Sequence, residues 1–475
     1  MKSEKRKSKP KWPGRATIRP HHSGRGTGWK YDVILYQTDP GDGGGVDGGP
    51  LHKLSDGSLF TRLSVMGPLP PGHNSHAEVA WDQFVILPMR SIDRGLTWRK
   101  EDTDEILPIG MKALRKPYIT ADMRRYCRNL DRIDQKRDLA LAPNVIQRTP
   151  GGALVGVDSQ VRAVSNREGE QWEKLGYHVS KGGAVTYIWD KLMSVTSTDG
   201  GRSWKEREIT EIGPYSFLYA WGGAVRQGAL TLPNGDAMGV IYGHLEPAPL
   251  TPTGTVGPSR PFVLRTSDEG KSWSLVPIPC PASDFLVTEI NLVLTATGKL
   301  IAMMRYQGSG DCFLRQSESF DGGWTWSRTR KTPMWGYPPQ VLQLQSGALL
   351  CVYGYRFRPL GCRACMSYDD GKTWDIQNEK ILRDDSTDFY HGVSYPSTVL
   401  LDDGTLYTTL RITKPAAIGK ERVGKGWAPP ELLGKRNPYS RYMAQAVMGY
   451  RYTEDYVRPN GKVFWKAGAR GDDPE

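Results

Sequence analysis

The sequence predicts an all-β fold, a six-bladed β-propeller with Asp-box hairpins and irregular insertions, on three observations. A turn of the form Ser/Thr-x-Asp-x-Gly-x-Thr/Ser-Trp recurs five times, at residues 91–98, 197–204, 266–273, 319–326 and 367–374. Two short apolar strands joined by a Gly turn recur six times, with turns at Asp56-Gly57, Gly151-Gly152, Asn234-Gly235, Thr297-Gly298, Ser346-Gly347 and Asp403-Gly404. The chain also holds 54 Gly, 34 Pro and 15 Trp in 475 residues, so its apolar runs are short and lie between Gly-containing turns. Repeats with a period of tens of residues let one propeller occupy a length that otherwise suggests two or three domains.

Each repeat has a local physical reading. In the box, the Asp accepts hydrogen bonds from turn backbone N–H groups, and the Gly takes a positive φ. The Ser or Thr hydroxyl adds a further local bond, and the Trp buries its ring against the adjoining sheet. The box aspartates are therefore expected to be structural. The Gly turns suit two-residue hairpins, and six of them imply six blades. Blade six has no box. Its later strands are expected within residues 441–453, with residues 31–38 as the strand that closes the ring and removes exposed sheet edges. Two segments break the pattern. Residues 100–141 are charged and carry a possible short helix, and residues 414–439 are rich in Lys, Gly and Pro. The expected organisation is a basic, disordered tail over 1–30, the propeller over 31–455 and a C-terminal tail over 456–475.

The formal net charge of +12 is unevenly placed, since residues 1–30 hold ten Lys/Arg and one Glu. The remaining body is close to neutral, which argues against nucleic acid as a partner. The first thirty residues lack the apolar stretch of a secretory signal, and no segment is long and apolar enough to span a membrane. The default expectation for localisation is cytoplasmic. Six cysteines, Cys127, Cys280, Cys312, Cys351, Cys362 and Cys365, suggest no disulfide framework. Cys362 and Cys365 form a CxxC, but residues three apart on a strand point to opposite faces, so they read as packing residues rather than metal ligands. No metal or organic cofactor is expected.

Five boxes on a six-blade pattern resemble the sialidase (neuraminidase) superfamily, over residues 45–455. Asp boxes are specific for fold and weak for activity, so the site residues decide function. The resemblance implies an acidic residue at the start of blade four and an arginine at the end of its second strand. Here EINLVLTATGKLIAMMR supplies Glu289 and Arg305. In blade five the family places an arginine shortly before the box. Arg363 fits that position best, with Arg356 in reserve. In blade six GVSYPSTVLLDDG supplies Tyr395 as the implied nucleophile, with Tyr390 and His391 just upstream. The residue types suit a sugar with a carboxylate beside its anomeric carbon. A carboxylate nucleophile meets that charge head on, whereas a neutral phenol does not. A free phenol has a pKa near ~10 and needs a neighbouring base, the role that falls to Glu289. Arginines bind the carboxylate in planar, charge-assisted pairs.

Two features depart from the family pattern. Residues 46–57 (VDGGPLHKLSDG) contain no arginine where blade one usually supplies the first of three, so the first of the triad is missing unless another segment supplies it, and a site with two arginines still suits an acidic sugar, sialic acid or a different one such as a uronic acid. Arg62 lies beyond the turn, and Arg15 and Arg19 lie in the tail. The general acid is also unmarked, with Glu78, Asp82, His73 and His76 as possibilities in the loop before the first box and Glu78 and Asp82 preferred. The leading expectation is a retaining exo-glycosidase acting on a terminal acidic sugar, sialic acid or a relative, with Tyr395, Glu289, Glu78 and Asp82 in catalysis and Arg305, Arg363, Arg356 and His391 binding substrate. The alternatives are a polysaccharide lyase acting at a uronic acid, using His391, Tyr390 and Tyr395, and a non-catalytic carbohydrate-binding propeller.

Overall fold

The computed structural model describes residues 17–20, 31–37, 45–66, 84–100, 147–245, 259–415 and 443–459, with short interruptions inside these spans. Six antiparallel sheets follow one another along the chain. Blades four and five are regular: Val287–Leu294, Leu300–Tyr306, Phe313–Ser319 and Arg330–Trp335, then Tyr337–Gln343, Leu349–Tyr355, Gly361–Ser367 and Lys380–Arg383. In blades one and three the first strand is split, into Gly45–Gly48 with His52–Lys53 and Phe217–Tyr219 with Leu230–Thr231. Blade two carries an extra strand, Val179–Gly182, and the helix Asn166–Lys174, whose first turn is capped by the Ser165 hydroxyl accepting from Glu168 N. That helix was not expected. The segment 100–141, where one was, lies outside the described residues from 101 onward.

Blade six closes the ring as expected. Val393–Leu400, Thr405–Pro415 and Met443–Thr453 are joined by Tyr31–Gln37 from the start of the chain, with Val33 opposite Gly449. Beyond it a fifth strand, Thr17–Pro20, pairs with Tyr31–Gln37. Those four residues cover an edge that is otherwise open to pairing. Pro20, at the strand end, has no N–H to contribute to the ladder.

The six turn glycines all have positive φ, from 79° at Gly404 to 94° at Gly235. The boxes show the expected bonding. In the fourth, the Asp321 carboxylate accepts from Thr325 N at 2.9 Å and Trp324 N at 3.0 Å, and from the hydroxyls of Thr325 and Ser319 at 2.6 and 2.9 Å. Burial pushes the Asp321 carboxyl up, but these bonds outweigh it and hold it at about 2. The box residue before the glycine takes a left-handed backbone in Arg94, Glu269 and Asp370, and in box four it is itself a glycine, Gly322. Each described box Trp is buried, and several link blades. Trp273 Nε1 donates to Ser194 of blade two, Trp374 Nε1 to Gln316 of blade four, and Trp98 Nε1 to Tyr407 of blade six. Cys362 and Cys365 are free and buried, and they join different core clusters on opposite faces of their strand.

Box one sits at the seam between blades one and six, where Gly95 has φ 90° and a Cβ there would meet the fully buried Tyr407 ring at 2.0 Å. Gly95→Ala combines a disfavoured backbone with overpacking against a ring that cannot move aside. We expect it to destabilise the fold by about 2–4 kcal/mol, read as a lower thermal unfolding midpoint. An unchanged midpoint would contradict the packing described for this seam.

Because every blade is antiparallel, the Gly turns and boxes share one end of the ring. The other end carries the start of each first strand and the end of each second strand. There the innermost strands of blades four, five and six have register breaks, between Thr288 and Ile290, Tyr337 and Pro339, and Ser394 and Ser397. Just beyond these bulges, side chains fasten blade to blade. Asn291 Oδ1 accepts from Val341 N at 2.8 Å, the Gln340 side chain bonds both N and O of Thr398, and Ser397 Oγ accepts from Leu51 N at 2.8 Å. The three bulges are thereby held at one level.

Candidate active site

Glu289 and Tyr395 occupy two of these bulges, and both have positive φ, 46° and 36°. Neither residue type favours that region, and such outliers persist only where surrounding structure over-determines them. The bulge turns each side chain out of the strand's alternation, and the two meet. Tyr395 Oη donates to Glu289 Oε1 at 2.5 Å, while Glu289 Oε2 accepts from Arg305 Nη1 at 2.8 Å. One carboxylate therefore joins the phenol of blade six to the guanidinium of blade four. Arg305 Nη2 also donates to Gln307 Oε1 at 2.7 Å.

Arg356 stands in the same group. Its Nε donates to Val393 O at 2.8 Å, and the Tyr337 ring lies 4.7 Å from the Arg305 guanidinium carbon and 5.2 Å from that of Arg356. Arg363 does not join them. It lies within the third strand of blade five, buried, and donates through Nη1 to Arg383 O at 2.8 Å and Cys362 O at 3.3 Å, with its charge over the Tyr355 ring at 4.3 Å. Of the two blade-five arginines, Arg356 is the one that lies beside Arg305 and Glu289. Counting back from the box selects a residue inside the sheet, whereas the end of the second strand reaches the rim. Glu78, Asp82 and His391 lie outside the described residues, as do His73, His76 and Tyr390.

One further cation was missed. Arg411, near the end of the second strand of blade six, pairs with Ser394 just as Arg305 pairs with Thr288, each opposite the residue before the bulge. Both arginines follow their bulge residue by sixteen positions, 289 to 305 and 395 to 411. Applying the blade-four spacing to blade six would have found it. Arg411 Nε is buried without a hydrogen-bond partner among the described residues, and its charge is felt at Arg356.

The electrostatics follow from this crowding. Burial, the nearby charge of Arg305 and that of Arg411 depress the Arg356 proton affinity to about 10, although Glu289 opposes the shift. Burial pushes the Glu289 carboxyl up, but Arg305, the Tyr395 hydroxyl and Arg356 outweigh it and leave it below its ordinary value. Arg305 and Arg356 both act on the Glu289 carboxylate, and Arg411 adds its charge beside Arg356, an excess of two positive charges in this group among the described residues. A carboxylate with a depressed pKa stabilises the fold above its unfolded value and loses that contribution as pH falls through the folded value. We therefore expect the thermal midpoint to fall below about pH 4.3 in a limb that Glu289→Gln flattens. A limb of the same size in both proteins would mean that this group does not contribute.

A groove of about 990 Å³ opens at the opposite end, lined in part by Thr297, Asp369, Asp370 and Lys372. Its acidic groups serve the turns: Asp369 holds box five, and Asp370 bonds Thr297. Among the described residues no cluster of His, Cys, Asp and Glu could hold a metal ion, and no helix is long and apolar enough to cross a membrane.

The fold and its repeats define a six-bladed Asp-box propeller. Residues 175–408 match the family model of the BNR repeat-like domain. Among curated proteins none matches the sequence. Among solved structures, the chain is similar to a protein of unknown function from Dyadobacter fermentans, with 18% identity, coverage of 92% of this chain and 99% of that one, and a TM-score of 0.57. It is also similar to the intramolecular trans-sialidase from Ruminococcus gnavus, with 12% identity, coverage of 93% and 98%, and a TM-score of 0.47. A point mutant of the NanB sialidase from Streptococcus pneumoniae gives 12%, 92% and 71%, and 0.45. At these identities the likeness is one of fold.

Proposed function

We propose that the protein is an exo-glycosidase that hydrolyses a terminal acidic sugar, sialic acid or a relative, with Tyr395 as nucleophile and retention at the anomeric carbon. The observation that carries this reading is the Tyr395–Glu289–Arg305 relay, with the phenol donating to a carboxylate whose other oxygen is fixed by a guanidinium. A six-bladed Asp-box propeller suits a glycosidase-like or carbohydrate-binding role, and the excess of positive charge favours an anionic ligand. In the first step Tyr395 Oη passes its proton to Glu289 and bonds to the anomeric carbon, while the glycosidic bond breaks and the leaving oxygen takes a proton from a general acid. Water then attacks the same carbon, its proton going to the conjugate base of that acid. The C–O bond to Tyr395 breaks, and the phenol recovers its proton from Glu289. Glu78 and Asp82 are the proposed sources of the acid. Arg305, Arg356 and Arg411 hold the sugar carboxylate, with Arg411 standing in for the arginine that blade one does not supply.

The test is a substrate panel with the purified protein: a fluorogenic sialoside, fluorogenic neutral glycosides and uronate polymers. The proposal expects release of fluorophore from the acidic glycoside, with the first-formed sugar keeping its anomeric configuration by proton NMR. New near-ultraviolet absorbance on a uronate polymer would replace hydrolysis by elimination. Tight binding of an acidic glycan with no turnover across the panel would leave a binding propeller.

A further inference from the structure

A run of half-buried aromatic rings leads away from the charged group along the mouth between blades four and five. It begins at Tyr337, whose ring touches both Arg305 and Arg356. The Phe357 ring lies 6.2 Å from it in a stacked arrangement, the Trp335 ring 5.1 Å from Phe357, and the Phe313 ring 4.6 Å from Trp335. Tyr355 backs the run, with its ring 5.5 Å from Phe357. All five side chains are partly open to solvent. The box Trp rings at the other end are core residues at 0–7% exposure, so these rings are not simply another layer of that core. They come from four separate stretches: the third and fourth strands of blade four, the first strand of blade five, and the end of its second strand with the residues beyond it. The far end is polar, where Lys331 Nζ lies 4.2 Å from the Phe313 ring and bonds Asp311 at 3.1 Å.

Rings packed edge-to-face against one another hold each other's orientation at small entropic cost, and each leaves part of a face for a ligand. Pyranose rings present C–H faces with hydroxyls around the rim, which suits an aromatic surface that ends in a Lys–Asp pair. We propose that this aromatic ledge is the subsite for the leaving part of the substrate. It takes one or two neutral pyranose units, stacked on Trp335 and Phe357, that carry the acidic sugar bound at Tyr395. This deepens the proposed function and rests on it. It makes the protein selective for acidic sugars at the end of an oligosaccharide over acidic sugars on small alcohols or aryl groups. Because the ledge meets the arginines through Tyr337, both parts of one ligand contact a single aromatic residue.

The test measures binding to the Tyr395→Phe protein, which does not consume its ligand, with N-acetylneuraminic acid and 3′-sialyllactose as probes in titration calorimetry. The ledge predicts about tenfold or more tighter binding of the trisaccharide than of the monosaccharide. In Trp335→Ala and in Phe357→Ala that ratio is expected to fall to within about twofold of one, while Trp335→Phe keeps most of it. Folding of each variant is checked by its thermal midpoint, and the two positions serve as independent tests should one fail to fold. A ratio that stays high in both alanine variants overturns the ledge and leaves the acidic-sugar reading intact. If neither probe binds, the acidic-sugar reading falls, and lactose at millimolar concentration tests the ledge alone by saturation-transfer NMR. Transfer to lactose in the starting protein that Trp335→Ala abolishes then supports it, and equal transfer or none overturns it.

Discussion

Tyr395→Phe is expected to lower kcat on a fluorogenic sialoside by about a thousandfold or more while changing KM little. The variant removes one oxygen, which donates to Glu289 at 2.5 Å. It keeps the ring, the bulge and the Glu289–Arg305 pair, so the arginines proposed to hold the sugar carboxylate remain and the thermal midpoint should stay close to that of the parent. What is lost is the atom proposed to bond to the anomeric carbon. The size of the effect follows from what the pair does together. A phenol with a pKa near ~10 is almost wholly protonated at neutral pH, and it attacks only as its proton leaves for Glu289. The Glu289 carboxyl, held below its ordinary value mainly by Arg305 against the effect of burial, is ionised and ready to accept. Glu289→Gln should therefore also lose most of the rate. It differs from Tyr395→Phe in stability as well, because it leaves the Arg305 charge buried without its carboxylate. Turnover that survives Tyr395→Phe unchanged would remove the nucleophile from the mechanism, whatever the substrate.

The fold was legible because its signals are local and repeated. Each box closes its own hydrogen bonds within eight residues, so Asp321 or Asp369 can be read without knowing what lies across the ring. The Gly turns likewise state their backbone need in one residue. Tyr395 and Glu289 were legible for another reason: a resemblance in spacing placed them, and the bulges at their positions bring them within hydrogen-bond reach. What failed was distance measured along the chain where geometry is set by strand ends. Arg363 lies four residues before the fifth box and inside a fully buried strand, while Arg356 lies just past the end of the preceding strand, where the sheet gives way to the mouth. Arg411 carries no motif of its own in the sequence, although Ser394–Arg411 repeats the register of Thr288–Arg305. The strand Thr17–Pro20 was hidden by its setting, four residues within a strongly basic stretch, where composition outweighs a short alternation.

The same strand-end geometry gives the two blade-five arginines opposite expected behaviour. Arg356 is held among like charges. Burial, Arg305 and Arg411 all work against its proton, and Glu289 and Tyr395 work for it. Replacing it by Met, which keeps much of the stem packing, removes a repelled charge. The thermal midpoint of the unliganded protein should therefore stay level or rise, while KM for the acidic glycoside rises on the order of a hundredfold or more, because a charge-assisted contact to the sugar carboxylate is gone. Arg356→Lys should recover little, since an ammonium cannot make the planar paired contact. Arg363 is the reverse case. Its guanidinium donates to two backbone carbonyls inside the sheet and lies over Tyr355. Arg363→Ala leaves those acceptors buried and unmet and opens a cavity, which should cost about 2–4 kcal/mol and lower the midpoint by several degrees, with KM of the folded protein unchanged. Thermal unfolding and steady-state kinetics on the two variants separate the assignments. A KM effect at Arg363 with none at Arg356 would return the anion site to the position that counting along the sequence selects.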